Sequence, residues 1–146
     1  MDDKKSRIVT TPFGKDGGNE FSFQVPRSIG LRSDTKLDQI KINNSVHGGN
    51  GGYESITLEL AEDEYISFIS LLAGRVIHNV HFKTNKGNEL TGQGYSAYPH
   101  TLEKIRLLAI GGRSERLVDQ LRFKYIENYN ESTVEEEIAH FILDYT

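Results

Sequence analysis

The chain of 146 residues contains no cysteine and no tryptophan, one methionine and three prolines. Each absence removes a class of answer. Without cysteine there is no disulfide framework, no thiolate metal site and no cysteine nucleophile. No run of 18 apolar residues occurs, so no segment has the make-up of a membrane-crossing helix. The opening Met1-Asp2-Asp3-Lys4-Lys5 lacks the apolar stretch of a secretory signal, which predicts synthesis in the cytoplasm and leaves the final location open. A formal net charge of -4 argues against nucleic acid or an anionic membrane as partner.

What is abundant is glycine: fourteen residues, which demand many tight turns. Hydrophobic residues are 36 % and charged residues 26 %, a globular composition of one domain long enough to bury its own core. Three glycine clusters, Gly14 to Gly18, Gly48 to Gly52 and Gly111-Gly112, each precede a strand-like run. Three such turns in one small chain predict an internal threefold repeat, against the alternative of three unrelated turns.

Apolar residues alternate with polar ones in Phe21/Phe23/Val25, Ile40/Ile42, Ile56/Leu58/Leu60, Val80/Phe82, Ile105/Leu107 and Leu121/Phe123/Tyr125. This period of two predicts antiparallel strands with one buried face. Expected strands lie near 7–12, 20–25, 28–32, 37–43, 53–60, 64–72, 76–84, 90–98, 103–110 and 119–127. Residues 64–72 fit both periods and read as strand because strands surround them and Gly74 follows closely. The predicted core is Phe21, Phe23, Ile40, Ile42, Ile56, Leu58, Leu60, Phe82, Ile105, Leu107, Leu121 and Phe123.

The last twenty residues differ in kind. They hold all of Glu127, Glu131, Glu135, Glu136, Glu137 and Asp144, and no Lys or Arg. Ser132 or Thr133 can cap a helix with acids in its first turn, and Val134, Ile138, Phe141, Ile142 and Tyr145 make one apolar stripe. The organisation read from this is a body over 1–127 and an acidic helical tail or linker over 128–146, with its helix near 133–145. A further domain after residue 146 is compatible with that stripe.

Catalytic constellations are lacking. His78 and His81 stand three apart in a strand and so cannot chelate one metal, and the other three histidines are scattered. No Gly-x-Ser-x-Gly elbow and no phosphate loop occur. No partner acid for Glu62-Asp63-Glu64 can be named. The Asn43 and Asn130 sequons read as chance. The chain reads as no enzyme, with no metal and no cofactor. What remains is the loop Gly112-Arg113-Ser114-Glu115-Arg116-Leu117-Val118-Asp119. A loop-end carboxylate can accept from two neighbouring hydroxyls of a polyol, and tight glycine turns supply backbone donors. Asp119 as a plain strand-entry residue is the even alternative.

Four segments, in order, resemble the jacalin-related lectin domain. They are Gly14 through Phe21, His47-Gly48-Gly49-Asn50-Gly51-Gly52, Asp63-Glu64-Tyr65-Ile66 with Val80-His81-Phe82-Lys83-Thr84-Asn85, and Gly112 through Asp119. The resemblance spans about residues 7–126. It implies an all-β fold, the β-prism I, with three four-stranded antiparallel Greek-key sheets about a pseudo-threefold axis. It implies metal-independent binding of glycans or glycoproteins without catalysis, of mannose or glucose type rather than galactose type because the chain continues upstream of Gly14. The implied carbohydrate site comprises Asp119 as acceptor, Arg116 and Leu117 as backbone donors beside Val118, Gly17 or Gly18 opposite, and a short third loop at Gly74 and Arg75. Homo-oligomers are common in the family. One residue departs from its motif: Glu115 stands where those lectins carry glycine. If that place needs a positive φ, Glu115 strains the loop; otherwise it can enter the site or pair with Arg113 or Arg116. The rival function is a β-prism interaction or targeting module with a degraded sugar site.

Overall fold

The computed structural model describes residues 6–94 and 97–130. The helix expected over 133–145 lies outside the described residues. The described residues form thirteen strands: β1 (Arg7–Gly14), β2 (Asn19–Gln24), β3 (Ser28–Ser33), β4 (Leu37–Ile42), β5 (Ser45–Gly48), β6 (Tyr53–Glu54), β7 (Leu58–Glu59), β8 (Ile66–Ala73), β9 (Ile77–Thr84), β10 (Glu89–Thr91), β11 (His100–Glu103), β12 (Arg106–Ser114) and β13 (Val118–Glu127). Among the described residues there is no helix.

The strands form three antiparallel sheets, ordered β1-β13-β12-β2, β5-β4-β3-β6 with β7 also on β3, and β10-β9-β8-β11. Each has the same plan. An inner hairpin (β12–β13, β3–β4 or β8–β9) is flanked by an outer pair that a longer glycine-bearing turn connects. This is the β-prism with its internal threefold repeat. In the first sheet the outer pair comes from the N-terminal end and the hairpin from the C-terminal end, so β1 pairs with β13 from Arg7–Glu127 to Gly14–Gln120.

Inward-facing residues of the three hairpins meet in one core that includes Ile29, Leu31, Ile40, Ile42, Ile69, Leu71, Phe82, Ile110, Leu121 and Phe123. Phe82 and Phe123 join two sheets edge to face, centroids 6.2 Å apart. Burying each such side chain contributes ~1.5–3 kcal/mol before ordering costs are subtracted.

The structure corrects several expectations. The run 53–60 is two short strands, because Ser55 interrupts the ladder. Its hydroxyl accepts from the Leu31 N–H at 2.9 Å and donates to the Ile56 carbonyl at 2.7 Å. Ile56 is thereby turned out of the core and is 71 % exposed. Phe23 also leaves the core. The β2–β12 register slips between Ile110–Gln24 and Gly112–Phe21, and this extra residue reverses the faces. Phe23 lies instead 4.6 Å from the Lys124 ammonium and 5.5 Å from the Arg122 guanidinium. Leu60 is only partly buried. The strand expected at 90–98 is short (Glu89–Thr91), and the one expected at 103–110 runs from Arg106 to Ser114. Gly111-Gly112 is not a turn but part of β12, where a Cβ at Gly112 would lie 2.7 Å from the Phe21 ring. The third glycine turn is Gly92 to Gly94.

Candidate functional site

The three inner hairpins end in one and the same turn. Their last paired residues are Ser114–Val118, Ser33–Leu37 and Ala73–Ile77, each following a bulge. Three residues lie between. The N–H of the first donates to the carbonyl of the third: Glu115 to Leu117 at 3.0 Å, Asp34 to Lys36 at 3.0 Å, Gly74 to Val76 at 2.9 Å. One residue past each turn stand Asp119, Asp38 and His78.

Around Asp119 the turn between β1 and β2 lies directly on the carboxylate. A Cβ at Gly17 would be 2.7 Å from Asp119 Oδ1, and one at Gly18 2.6 Å from Oδ2. Gly18 also has φ +66°, so glycine serves there twice over. Arg113 fastens this turn, donating from Nε to the Gly17 carbonyl at 3.1 Å and from Nη2 to that of Gly18 at 2.9 Å. Gln120 Nε2 donates to Asp16 Oδ1 at 3.3 Å, and the Lys15 N–H to the Asp119 carbonyl at 3.2 Å. One oxygen of the carboxylate is left over. Its Oδ2 is shielded from solvent and has no hydrogen-bond partner among the described residues. Burial pushes the Asp119 carboxyl above its ordinary range, the Glu115 charge pushes it further, and Arg113 opposes both. Such an acceptor suits ligands that bring hydroxyl donors.

Of the residues expected at this site, Gly17, Gly18, Glu115, Arg116, Leu117, Val118 and Asp119 are brought together. Val118 is fully buried and serves as the turn's anchor in the core. The N–H groups of Arg116 and Leu117 enter no backbone hydrogen bond among the described residues. Glu115 is exposed and adopts no positive φ; the non-glycine residues that do are Asn43, Lys104 and Asn128. The strain expected there is therefore absent. Among the described residues Glu115 forms no ion pair with Arg113 or Arg116, and Arg113 Nη1 faces Glu20 at 3.8 Å. Gly74 and Arg75 occupy the third hairpin turn, where a Cβ at Gly74 would meet His78 alone.

A second site of the same build went unread in the sequence. A Cβ at Gly51 or Gly52 would lie 2.6 Å from Asp38 Oδ1 or Oδ2. Arg32 donates to the carbonyls of Gly51 and Gly52, both at 3.1 Å, and Gln39 Nε2 donates to Gly49 at 2.9 Å. Burial and the Asp34 charge push the Asp38 carboxyl up, against Arg32. A signal was present: Arg32-Ser33-Asp34-x-x-Leu37-Asp38-Gln39 repeats Arg113-Ser114-Glu115-x-x-Val118-Asp119-Gln120.

Elsewhere, clefts open at the other end of the strands, lined by Leu60, Glu62, Tyr65 and Arg106. Among the described residues no three histidines or acids gather to hold a metal.

Comparison with known proteins places this geometry. A family model for the jacalin-like lectin domain matches residues 10–124. Griffithsin from Griffithsia sp. (strain Q66D336) is 38 % identical over 120 residues, which cover 80 % of this chain and 95 % of that protein. In structure the chain is similar to wild-type Malaysian banana lectin, with a TM-score of 0.68 and 19 % identity over 85 % of this chain and 100 % of that one. It is also similar to AcmJRL, a mannose binding jacalin related lectin from Ananas comosus, with a TM-score of 0.65 and 20 % identity over 84 % and 99 %. A lectin-type domain of this kind is a carbohydrate-binding protein and not an enzyme. With its fold, its threefold turns and its sequence in agreement, the chain belongs to the jacalin-like lectin domain family.

Proposed function

We propose that the protein binds mannose- or glucose-type glycans without metal, at the turn that ends in Asp119. The observation that carries this is the Asp119 carboxylate, pressed against Gly17 and Gly18 with one oxygen unpaired. An unpaired, shielded acceptor costs stability, and neighbouring sugar hydroxyls would satisfy it. The free amides of Arg116 and Leu117 would donate to ring or hydroxyl oxygens. The turn is already held by Arg113, so little order remains to be imposed on binding. The Asp38 turn offers the same parts, which would give one chain two seats and raise its avidity for branched glycans. The name of AcmJRL as a mannose binding lectin of the same fold supports the choice of sugar.

Titration calorimetry with mannose, glucose and galactose, with and without chelator, tests the reading. Mannose or glucose should bind in chelator, and Asp119→Ala together with Asp38→Ala should abolish it. If no sugar binds, the fold serves as an interaction module and the lectin reading fails.

A further inference from the structure

The third hairpin turn keeps the backbone of the other two and inverts their chemistry. The register makes the comparison residue by residue. Where Arg113 pairs with Gln120 and Arg32 with Gln39, Leu72 pairs with Asn79. The turn residues Glu115-Arg116-Leu117 and Asp34-Thr35-Lys36 correspond to Gly74-Arg75-Val76. Asp119 and Asp38 correspond to His78. At the third glycine turn Asn79 Nδ2 donates to the Gly92 carbonyl at 3.1 Å, and the Gln93 N–H donates to Ser33 Oγ at 2.7 Å. Gly92 and Gly94 flank an uncharged Gln93. The two acid-bearing turns thus each present two carboxylates, whereas this one presents a guanidinium and an imidazole and no acid.

Among the described residues, Arg75 and His78 Nδ1 have no partner. Arg75 is exposed and enters no hydrogen bond or ion pair with a described residue. His78 Nδ1 is shielded from solvent and has no partner among the described residues, while Nε2 lies 3.4 Å from where a Cβ of Gly74 would stand. Donors replace acceptors, and fixed positive charge replaces negative.

We propose that this third turn, around Arg75 and His78, is a seat for the acidic group of a saccharide, a carboxylate or a sulfate ester, on a chain whose other two turns take neutral sugars. The inference rests on the proposed lectin function and deepens it. The guanidinium matches the planar two-oxygen geometry of either acid. The absence of a carboxylate at position 78 removes the repulsion an acidic sugar would meet at Asp38 or Asp119.

The test is an amide-resolved NMR titration with methyl glucoside, methyl glucuronide, glucose 6-sulfate and inorganic sulfate. It uses the full chain, Arg75→Gln, His78→Phe and an Asp38→Asn/Asp119→Asn double variant. The expected result is that an acidic sugar shifts the amides of residues 74–78 and binds there at least tenfold more tightly than methyl glucoside. Arg75→Gln, at an exposed position that leaves the fold intact, should weaken this about tenfold or more. The double variant should retain it while losing neutral sugars. Glucuronide against sulfate ester identifies the preferred acid, and inorganic sulfate binding as tightly as the sugars would overturn the saccharide part. Acidic sugar that perturbs residues 115–119 or 34–38 instead, or that ignores Arg75→Gln, overturns the proposal. Neutral sugars that bind nowhere overturn the lectin reading alone, since residues 74–78 are observed separately.

Discussion

A Cβ at Gly18 would stand 2.6 Å from Oδ2 of Asp119 and 2.6 Å from the backbone carbon of Ser114. The turn and the carboxylate are therefore fitted to one another with no room for a side chain. Gly18→Ala should cost about 1–2 kcal/mol from the left-handed backbone alone, with the displaced carboxylate adding to it. Sugar affinity should fall with stability. A Gly18→Ala protein with unchanged melting temperature and unchanged affinity would contradict the fit.

Asp119 costs the folded protein stability at neutral pH. Its carboxyl is pushed up in the folded state, mainly by burial and then by Glu115. The folded state therefore holds this proton more tightly than the unfolded state does. This contribution favours folding below the ordinary carboxylate range and declines as pH rises through that range to the raised value. At neutral pH Asp119→Asn should raise the melting temperature slightly. Asp119→Ala should weaken binding about tenfold to a hundredfold, the worth of one charged hydrogen bond. Thermal melts at pH 7 and calorimetry check the two halves separately.

Glu115 acts on Asp119 through charge rather than through backbone shape. Glu115→Gln should bring the Asp119 carboxyl back toward its ordinary range, read by carbon-detected NMR titration. Glu115→Gly should not raise stability, because no positive φ is relieved. A gain of 1 kcal/mol or more, the cost of a non-glycine residue in that region, would restore the strain explanation.

Glu64 behaves in the opposite sense. It is 8 % exposed and accepts from Thr84 Oγ1 at 2.6 Å, Asn88 Nδ2 at 2.7 Å and the Ala61 N–H at 3.0 Å. The Thr84 bond, then those from Ala61 and Asn88, hold its carboxyl below the ordinary range. Its stabilisation is full above that range and is lost as pH falls through the lowered value. Glu64→Gln should cost about 1–3 kcal/mol at pH 7 and flatten the loss of stability in acid. Denaturant melts from pH 3 to 7 measure both.

The repeat was legible because glycine turns and alternating strands leave local marks. Phe21, Ile40, Phe82, Leu121 and Phe123 obey the period of two and are buried. Ile56 and Phe23 obey it as well and are not, because a serine side chain and a bulge break the ladder. Such breaks depend on the neighbouring strand, which a local pattern does not contain. Ile56→Ser should accordingly change stability by no more than about 0.5 kcal/mol. The same reason explains the third turn. Gly111-Gly112 resembles one by composition, yet Gly111 makes room for the Phe23 ring and Gly112 for the Phe21 ring across the sheet. The loop chemistry left Asp119 even between a binding residue and a strand-entry residue, and the family resemblance singled out the Asp119 turn. The Asp38 site needed the loop to be compared with its repeat.

The pairing of β1 with β13 bears on how the domain would respond to force. Arg7, at the start of the first strand, is ion-paired to Glu127, at the end of the last. Tension applied through the two ends meets the ladder one rung at a time, beginning at that pair, instead of shearing all its rungs together. The prism should thus open at low force like a zip. A load on both ends would peel off β1, and with Gly14 the glycine turn over Asp119, before the other two sheets were disturbed.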